Sequence, residues 1–245
     1  MTGATLRDGQ ADLPSERSTA SYWHREPSEK LLGHRTTAEL PATADVVIIG
    51  SGITGAFAAH FLKEANAASD VLMLEAREAC WGATGRNGGH CQPSVYGLST
   101  AVARFELNTY AFLRDLVAEH DVPCDWVSFP GTLGATTGIA EGELAATYEW
   151  TGIMGYSRDF LPWVGEVPKA LGGDTGLWVA AGYTGHGMPR AALCAKAVVG
   201  MMNGQELEVA EAVGLPHEFL VSEERAAQAR EMDNVTVADL KDMFV

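Results

Sequence analysis

An α/β fold built on a parallel sheet is what this sequence predicts, and three observations predict it. The apolar, β-branched run Asp45-Val-Val-Ile-Ile-Gly50 ends in glycine. A helical pattern follows at once, with Ile53, Phe57 and Phe61 on one face of a segment reaching about Glu64. A second apolar run, Asp70-Val-Leu-Met-Leu-Glu75, then ends in an acid. Continuous apolar runs mark parallel strands buried on both faces. Strand, helix and strand in about thirty residues make a βαβ unit.

The turn between the first strand and the helix reads Gly50-Ser51-Gly52-Ile53-Thr54-Gly55, a GxGxxG pattern. Alone the pattern is weak; directly after a buried strand and opening a helix it has a mechanism. The first glycine makes a tight turn, the second lets a diphosphate approach the backbone, and the third lets helix and strand pack closely. The helix N-terminus offers N–H groups and partial positive charge to an anion. Glu75 lies twenty residues after Gly55, at the end of the second strand. A carboxylate there accepts hydrogen bonds from a ribose diol and repels a 2′-phosphate. These features predict a Rossmann-like dinucleotide site.

Beyond the unit, residues 80 to 92 are glycine-rich and loop-like. Val102, Phe105, Thr109, Phe112 and Leu116 step along one face of a helix over 100 to 120. Residues 129 to 147 read as a short linker. Leu177-Trp-Val-Ala-Ala181 reads as another buried strand, with a helix expected from Pro189 to Asn203-Gly204. The chain divides into a polar arm (1–44), a body (45–204) and an acidic tail (205–245) with short helices expected near 222–232 and 236–243. Tyr22, Trp23, Leu31 and Leu32 could anchor the arm; most of Trp81, Trp126, Trp150, Trp163 and Trp178 are expected in the core.

The formal net charge is −15, and the tail carries ten acids against three bases. Such a surface repels phosphate backbones, which argues against a nucleic-acid partner. Cys80, Cys91, Cys124 and Cys194 form no CxxC and no zinc pattern, so no metal site is expected and reduced thiols are. With no apolar stretch of leader or membrane-span length, the expectation is a cytoplasmic protein off the membrane.

The stretch after Glu75 reads Ala76-Arg77-Glu-Ala-Cys-Trp-Gly-Ala-Thr84-Gly85-Arg86-Asn87-Gly88-Gly89-His90. This resembles the FAD-dependent oxidoreductases of the D-amino acid oxidase, glycine oxidase and sarcosine oxidase superfamily, in which an acid followed by Arg leads into a Gly-Arg-Asn-Gly-Gly loop along the flavin and its pyrophosphate. Trp150-Thr-Gly-Ile-Met-Gly-Tyr-Ser-Arg-Asp159 and Leu161-Pro-Trp-Val-Gly165 look like the family's late strand and turn. Gly182-Tyr-Thr-Gly185-His186-Gly187-Met188 looks like its last flavin-contacting loop, with the next helix pointing its N-terminus at the ring. The resemblance covers 45–128 and 148–204 and implies FAD as cofactor, held by Gly50 to Gly55, Glu75 to Arg77, Thr84 to Gly89, Gly182, Gly185, Gly187 and Met188. The family's central substrate domain has no counterpart in 129–147, so the chain reads as two family segments joined directly. Two consequences are expected: a flavin and apolar strands left more open to solvent, and a surface that permits a homodimer.

The implied chemistry is hydride transfer to flavin from the C–N bond of an amine or amino acid, in which the protein mostly orients and polarises. His186 is the candidate catalytic side chain, placed to stabilise reduced flavin or contact substrate; a loop histidine bonded to backbone is the plainer alternative. Arg86 suits pyrophosphate or a substrate carboxylate. Neither His90 nor Cys91 fits the family's covalent attachment motifs, so FAD is expected to be non-covalent. A second reading keeps the nucleotide fold without redox turnover, as a binding or scaffold protein or a non-redox enzyme.

Overall fold

A computed structural model describes residues 15, 17–128 and 148–232. The expected βαβ unit forms. β1 (Val46–Ile49) leads into α1 (Ile53–Ala65), which returns to β2 (Val71–Leu74). β1 and β2 pair in parallel, with Val46 opposite Val71 and Ile49 opposite Leu74. α2 spans Thr100–Glu119, capped by the Ser99 hydroxyl, which accepts from Val102 N. A second sheet pairs β3 (Trp163–Glu166) with β4 (Trp178–Ala181) antiparallel. α3 (Ala191–Met202), α4 (Glu206–Val213) and α5 (Glu223–Glu231) follow.

α3 is the centre of the molecule. Nine of its residues are buried, most of them small: Ala191, Ala192, Ala195, Ala197 and Gly200 among them. Small side chains let neighbouring elements approach closely, so α3 packs against α1, α2, α4, β3 and β4. One core cluster joins Val102 and Phe105 of α2, Val164 of β3, Leu193, Cys194, Ala197 and Val198 of α3, Val213 of α4 and Phe219. Phe105 and Phe219 meet edge to face at 5.5 Å, both fully buried. Such a pair adds about 0.5–1.5 kcal/mol beyond the area it buries. A second cluster, Phe61, Leu62 and Val199, ties α1 to α3 under Val46 and Ile48. The segments 45–128 and 148–204 therefore share one core.

Four expectations are corrected. β1 is buried on one face, not two: Val46 and Ile48 pack inward, while Val47 is 50% and Ile49 87% exposed. α1 and α3 pack on one side of the two-stranded sheet, and on the other β1 is left exposed at Val47 and Ile49. The sheet content is likewise split, one parallel pair and one antiparallel pair, rather than a single parallel sheet. Trp81, Trp126, Trp150, Trp163 and Trp178 are all half-buried rather than core. Trp126, Trp150 and Trp163 each donate from Nε1 to an oxygen, those of Ser128, Arg86 and Ser157. The acidic tail carries α4, which the sequence reading missed; α5 stands where the first tail helix was expected. The 236–243 helix and the 129–147 linker lie outside the described residues.

α5 is held at its start by Arg225 and near its end by Arg158, which donates to Arg230 O at 3.1 Å. Arg225 donates to both oxygens of Asp159 at 2.7 and 3.1 Å and to the carbonyls of Pro162, Phe219 and Leu161 at 2.9 Å. Its guanidinium lies 3.9 Å from the Trp163 ring centre.

Candidate nucleotide site

The glycine turn has the geometry its pattern predicts. Gly50 takes φ +99°, a conformation L side chains avoid, and its N–H extends the parallel ladder to Leu74 O at 2.8 Å. Gly52 is the N-cap of α1 and brings no side chain to it. A Cβ on Gly55 would run into the Gly50 carbonyl oxygen and approach Ile48 Cγ2 at 3.2 Å, so this glycine lets α1 lie directly on β1.

The first-turn N–H groups of a helix lack intrahelical partners. Here Ile53 N donates to the Thr84 hydroxyl at 2.9 Å, and a Cβ on Gly52 would lie 2.9 Å from that same oxygen. Thr84 thus places an acceptor oxygen on the helix N-terminus. Thr54 Oγ1 donates to Tyr183 Oη at 3.1 Å. Burial pushes that phenol well above its ordinary range, so it stays protonated and donates onward to Ala180 O at 3.3 Å.

Glu75 sits at the end of β2 beside the turn. One carboxylate oxygen accepts from Ser51 N at 3.0 Å and Ser51 Oγ at 2.6 Å, the other from Arg77 N at 3.1 Å. Burial works to raise its pKa. The Ser51 side chain and the backbone N–H groups of Ser51, Arg77 and Ala76 outweigh burial and hold the carboxyl below its ordinary value. Ser51 Oγ in turn accepts from Cys80 N at 3.0 Å, fastening the loop after β2 to the turn.

The Thr84–Gly89 loop begins as a short 3₁₀ turn, Ala83–Arg86. Asn87 Nδ2 donates to Thr84 O at 2.6 Å and to Met188 Sδ at 3.5 Å, while its Oδ1 accepts from Gly89 N at 2.7 Å. Arg86 turns inward on the protein: Nε donates to Trp81 O at 3.0 Å and Nη1 to Thr151 O at 2.8 Å. Its Nη2 is buried without a partner among the described residues. The N-terminal arm is anchored on this loop, a point the sequence left open. Ser21 Oγ donates to Gly85 O, Trp23 Nε1 donates to Asn87 O at 2.8 Å, and the Trp23 ring lies against exposed Gly89 beside exposed Gly88.

The Gly182–Met188 loop closes the arrangement. Gly182 and Gly185 each take φ +75°, and Gly187 packs on the Tyr183 side chain. The Gly187 carbonyl accepts from Arg190 N and Ala191 N, at 3.0 and 2.8 Å. Since Pro189 has no N–H, the α3 N-terminus exposes fewer donors than the sequence suggested. His186 Nε2 lies 3.0 Å from Glu106 Oε2. Glu106, fully buried on α2, also accepts from Ser94 N at 2.6 Å and Arg190 Nε at 2.7 Å. Burial would raise this carboxyl, but His186, Arg190 and Ser94 together hold it below its ordinary value.

The three sequence motifs thus meet at one place. Ile53 touches Thr84, Thr54 touches Tyr183, and Asn87 touches Met188. Glu106, Arg190 and Tyr183 were missed as members. An acid on the inward face of α2, one residue after Phe105, was the legible signal for the first.

Comparison with known proteins bears on the family alone. Residues 45–146 match the FAD dependent oxidoreductase family. The resemblance read from the motifs therefore holds over this segment. Among curated proteins, gamma-glutamylputrescine oxidoreductase of Escherichia coli (strain K12) is 32% identical over 96 residues, covering 34% of this chain and 22% of the relative. The chain thus matches about a fifth of that relative's length. No solved structure matches. No described helix is long and apolar enough to cross a membrane.

Proposed function

We propose that this chain binds FAD non-covalently across the Gly50–Gly55 turn and is a flavin-dependent oxidoreductase acting on the C–N bond of a small amine or amino acid. The observation that carries the reading is the convergence of the glycine turn, the Thr84–Gly89 loop and the Gly182–Met188 loop, brought together from segments up to 129 residues apart.

The residues present fit the cofactor. A diphosphate would rest on the side-chain-free backbone of Gly52 and on the first-turn amides of α1. The oxygen that Thr84 now presents to Ile53 N marks where a phosphate oxygen would bind. Glu75, held ionised, would receive the ribose hydroxyls. Met188 and the glycines of its loop would border the ring. Burial, then the negative charge of Glu106, pushes the Cys91 thiol up to about 11. A protonated thiol is a poor nucleophile, which supports non-covalent binding. The chemistry FAD supplies when bound is acceptance of a hydride from the carbon next to the amine nitrogen; the chain contributes orientation and electrostatics. The Escherichia coli relative, a gamma-glutamylputrescine oxidoreductase, supports an amine-bearing substrate.

The exposed outer face of β1 favours a second reading, in which the nucleotide fold is kept without redox turnover. It also makes a homodimer through that face part of the proposal. The test is direct. Purified full chain mixed with FAD and gel-filtered retains the flavin absorption bands, and anaerobic amines bleach them. Protein that emerges colourless overturns the cofactor assignment. Retained bands that no amine or amino acid bleaches favour the second reading.

A further inference from the structure

We propose that Glu106 is a positioning residue that fixes His186 as its Nε2–H tautomer, leaving Nδ1 as an acceptor for the ammonium end of the substrate. This rests on the flavin-site reading above and names which end of the substrate the Gly182–Met188 loop receives.

The inference starts from valence. An ionised carboxylate only accepts hydrogen bonds. Glu106 faces three donors and is fully buried: Ser94 N at 2.6 Å, Arg190 Nε at 2.7 Å and His186 Nε2 at 3.0 Å. The imidazole proton therefore lies on Nε2, and in the neutral ring Nδ1 carries a lone pair. No hydrogen bond to Nδ1 is found among the described residues, and 32% of the His186 side chain is exposed. An orienting acid behind an imidazole is the arrangement that sets which nitrogen works.

Charge decides which end of a substrate fits. Arg190 is bound to Glu106 Oε1, so its positive charge is already matched, and the Cys91 thiol nearby is protonated. In its neutral form the ring offers one lone pair outward, on Nδ1. An ammonium N–H donates to it. The ring offers nothing to a carboxylate, which would face one lone pair with another.

The test needs no turnover. Full-length chain carrying ¹⁵N-histidine is loaded with FAD, and the His186 ring signals are assigned by their loss in His186→Asn. The proposal expects Nε2 coupled to a proton and Nδ1 uncoupled. Propylammonium should shift the Nδ1 signal, and propionate should not. An Nδ1–H tautomer, a response to propionate alone, or a response to neither probe overturns it. In Glu106→Gln the two tautomers should mix, because an amide cannot accept from donors on both sides; a single retained Nε2–H tautomer shows that Glu106 does not set it. Where Glu106→Gln does not fold, the wild-type tautomer and the two probes still decide. A chain that refuses FAD leaves the tautomer measurable, so failure of the cofactor reading is seen separately.

Discussion

Replacing Gly52 by valine puts the cofactor reading under the most specific stress. Gly52 has φ −69° and ψ −179°, a conformation open to any L residue, so the backbone is not strained. The added Cβ stands 2.9 Å from Thr84 Oγ1 and 3.8 Å from Thr84 Cβ. The hydroxyl must swing away from Ile53 N, and the lost cap costs about 1 kcal/mol. For a chain of this size that lowers the melting temperature by about 2–4 °C, so the variant still folds. Binding suffers more. The valine methyls stand between a diphosphate and the α1 amides, and two lost charge-assisted hydrogen bonds at about 1.5–3 kcal/mol each remove at least about 3 kcal/mol. Kd for FAD then rises a hundredfold or more, to order of magnitude. The assay is quenching of FAD fluorescence on titration with protein, beside a thermal melt. Thr84→Val is the control, since it removes the same cap and leaves the approach to the amides open. A folded Gly52→Val protein that binds FAD as tightly as wild type would refute the placement.

Gly55→Ala should damage the fold itself, because its Cβ collides with the Gly50 carbonyl; a loss of about 1–3 kcal/mol in urea unfolding is expected, and an unchanged midpoint contradicts the close contact of α1 with β1. Glu106→Ala leaves Arg190 buried without its carboxylate, and about 3–5 kcal/mol should disappear from the unfolding free energy; a loss under 1 kcal/mol would mean the pair is open to water. Acid should destabilise the protein for a stated reason. Glu106, Glu75 and Asp159 all titrate below their ordinary values when folded, so the stability they add is full above the ordinary carboxylate range and is lost as pH falls through their depressed values. A melting temperature flat across that range counts against these contacts. Ile49→Lys, at a position 87% exposed, should change stability by less than about 0.5 kcal/mol while reducing concentration-dependent self-association seen by light scattering; association unaffected by the charge moves any dimer contact elsewhere.

Much of the site was legible because its features are local in sequence. The Gly50, Gly52 and Gly55 spacing, the acid closing β2 and the apolar face of α2 each report on a few consecutive turns of backbone, and each element formed within a residue or two of its expected bounds. What stayed hidden depends on contacts distant in sequence. That Val47 and Ile49 of β1 stay exposed depends on what packs beside them, which the strand's own residues do not encode. Glu106 meets His186 across eighty positions and Arg225 meets Asp159 across sixty-six, and no periodicity announces either pair. The sequence names Tyr22, Trp23, Leu31 and Leu32 as candidate anchors of the N-terminal arm but not the place where they attach. The arm's Ser21 and Trp23 find unpaired carbonyls on the Thr84–Gly89 loop, which only the fold brings within reach.

Amide hydrogen exchange at Ile53, Thr54 and Gly55, followed with and without FAD, asks most directly whether a diphosphate lands on the start of α1. Exchange at these three amides and across Thr84–Gly89 is expected to slow on adding FAD, while the distant α5 amides keep their rates. Protection appearing elsewhere, with Ile53 to Gly55 exchanging as before, would contradict the central claim.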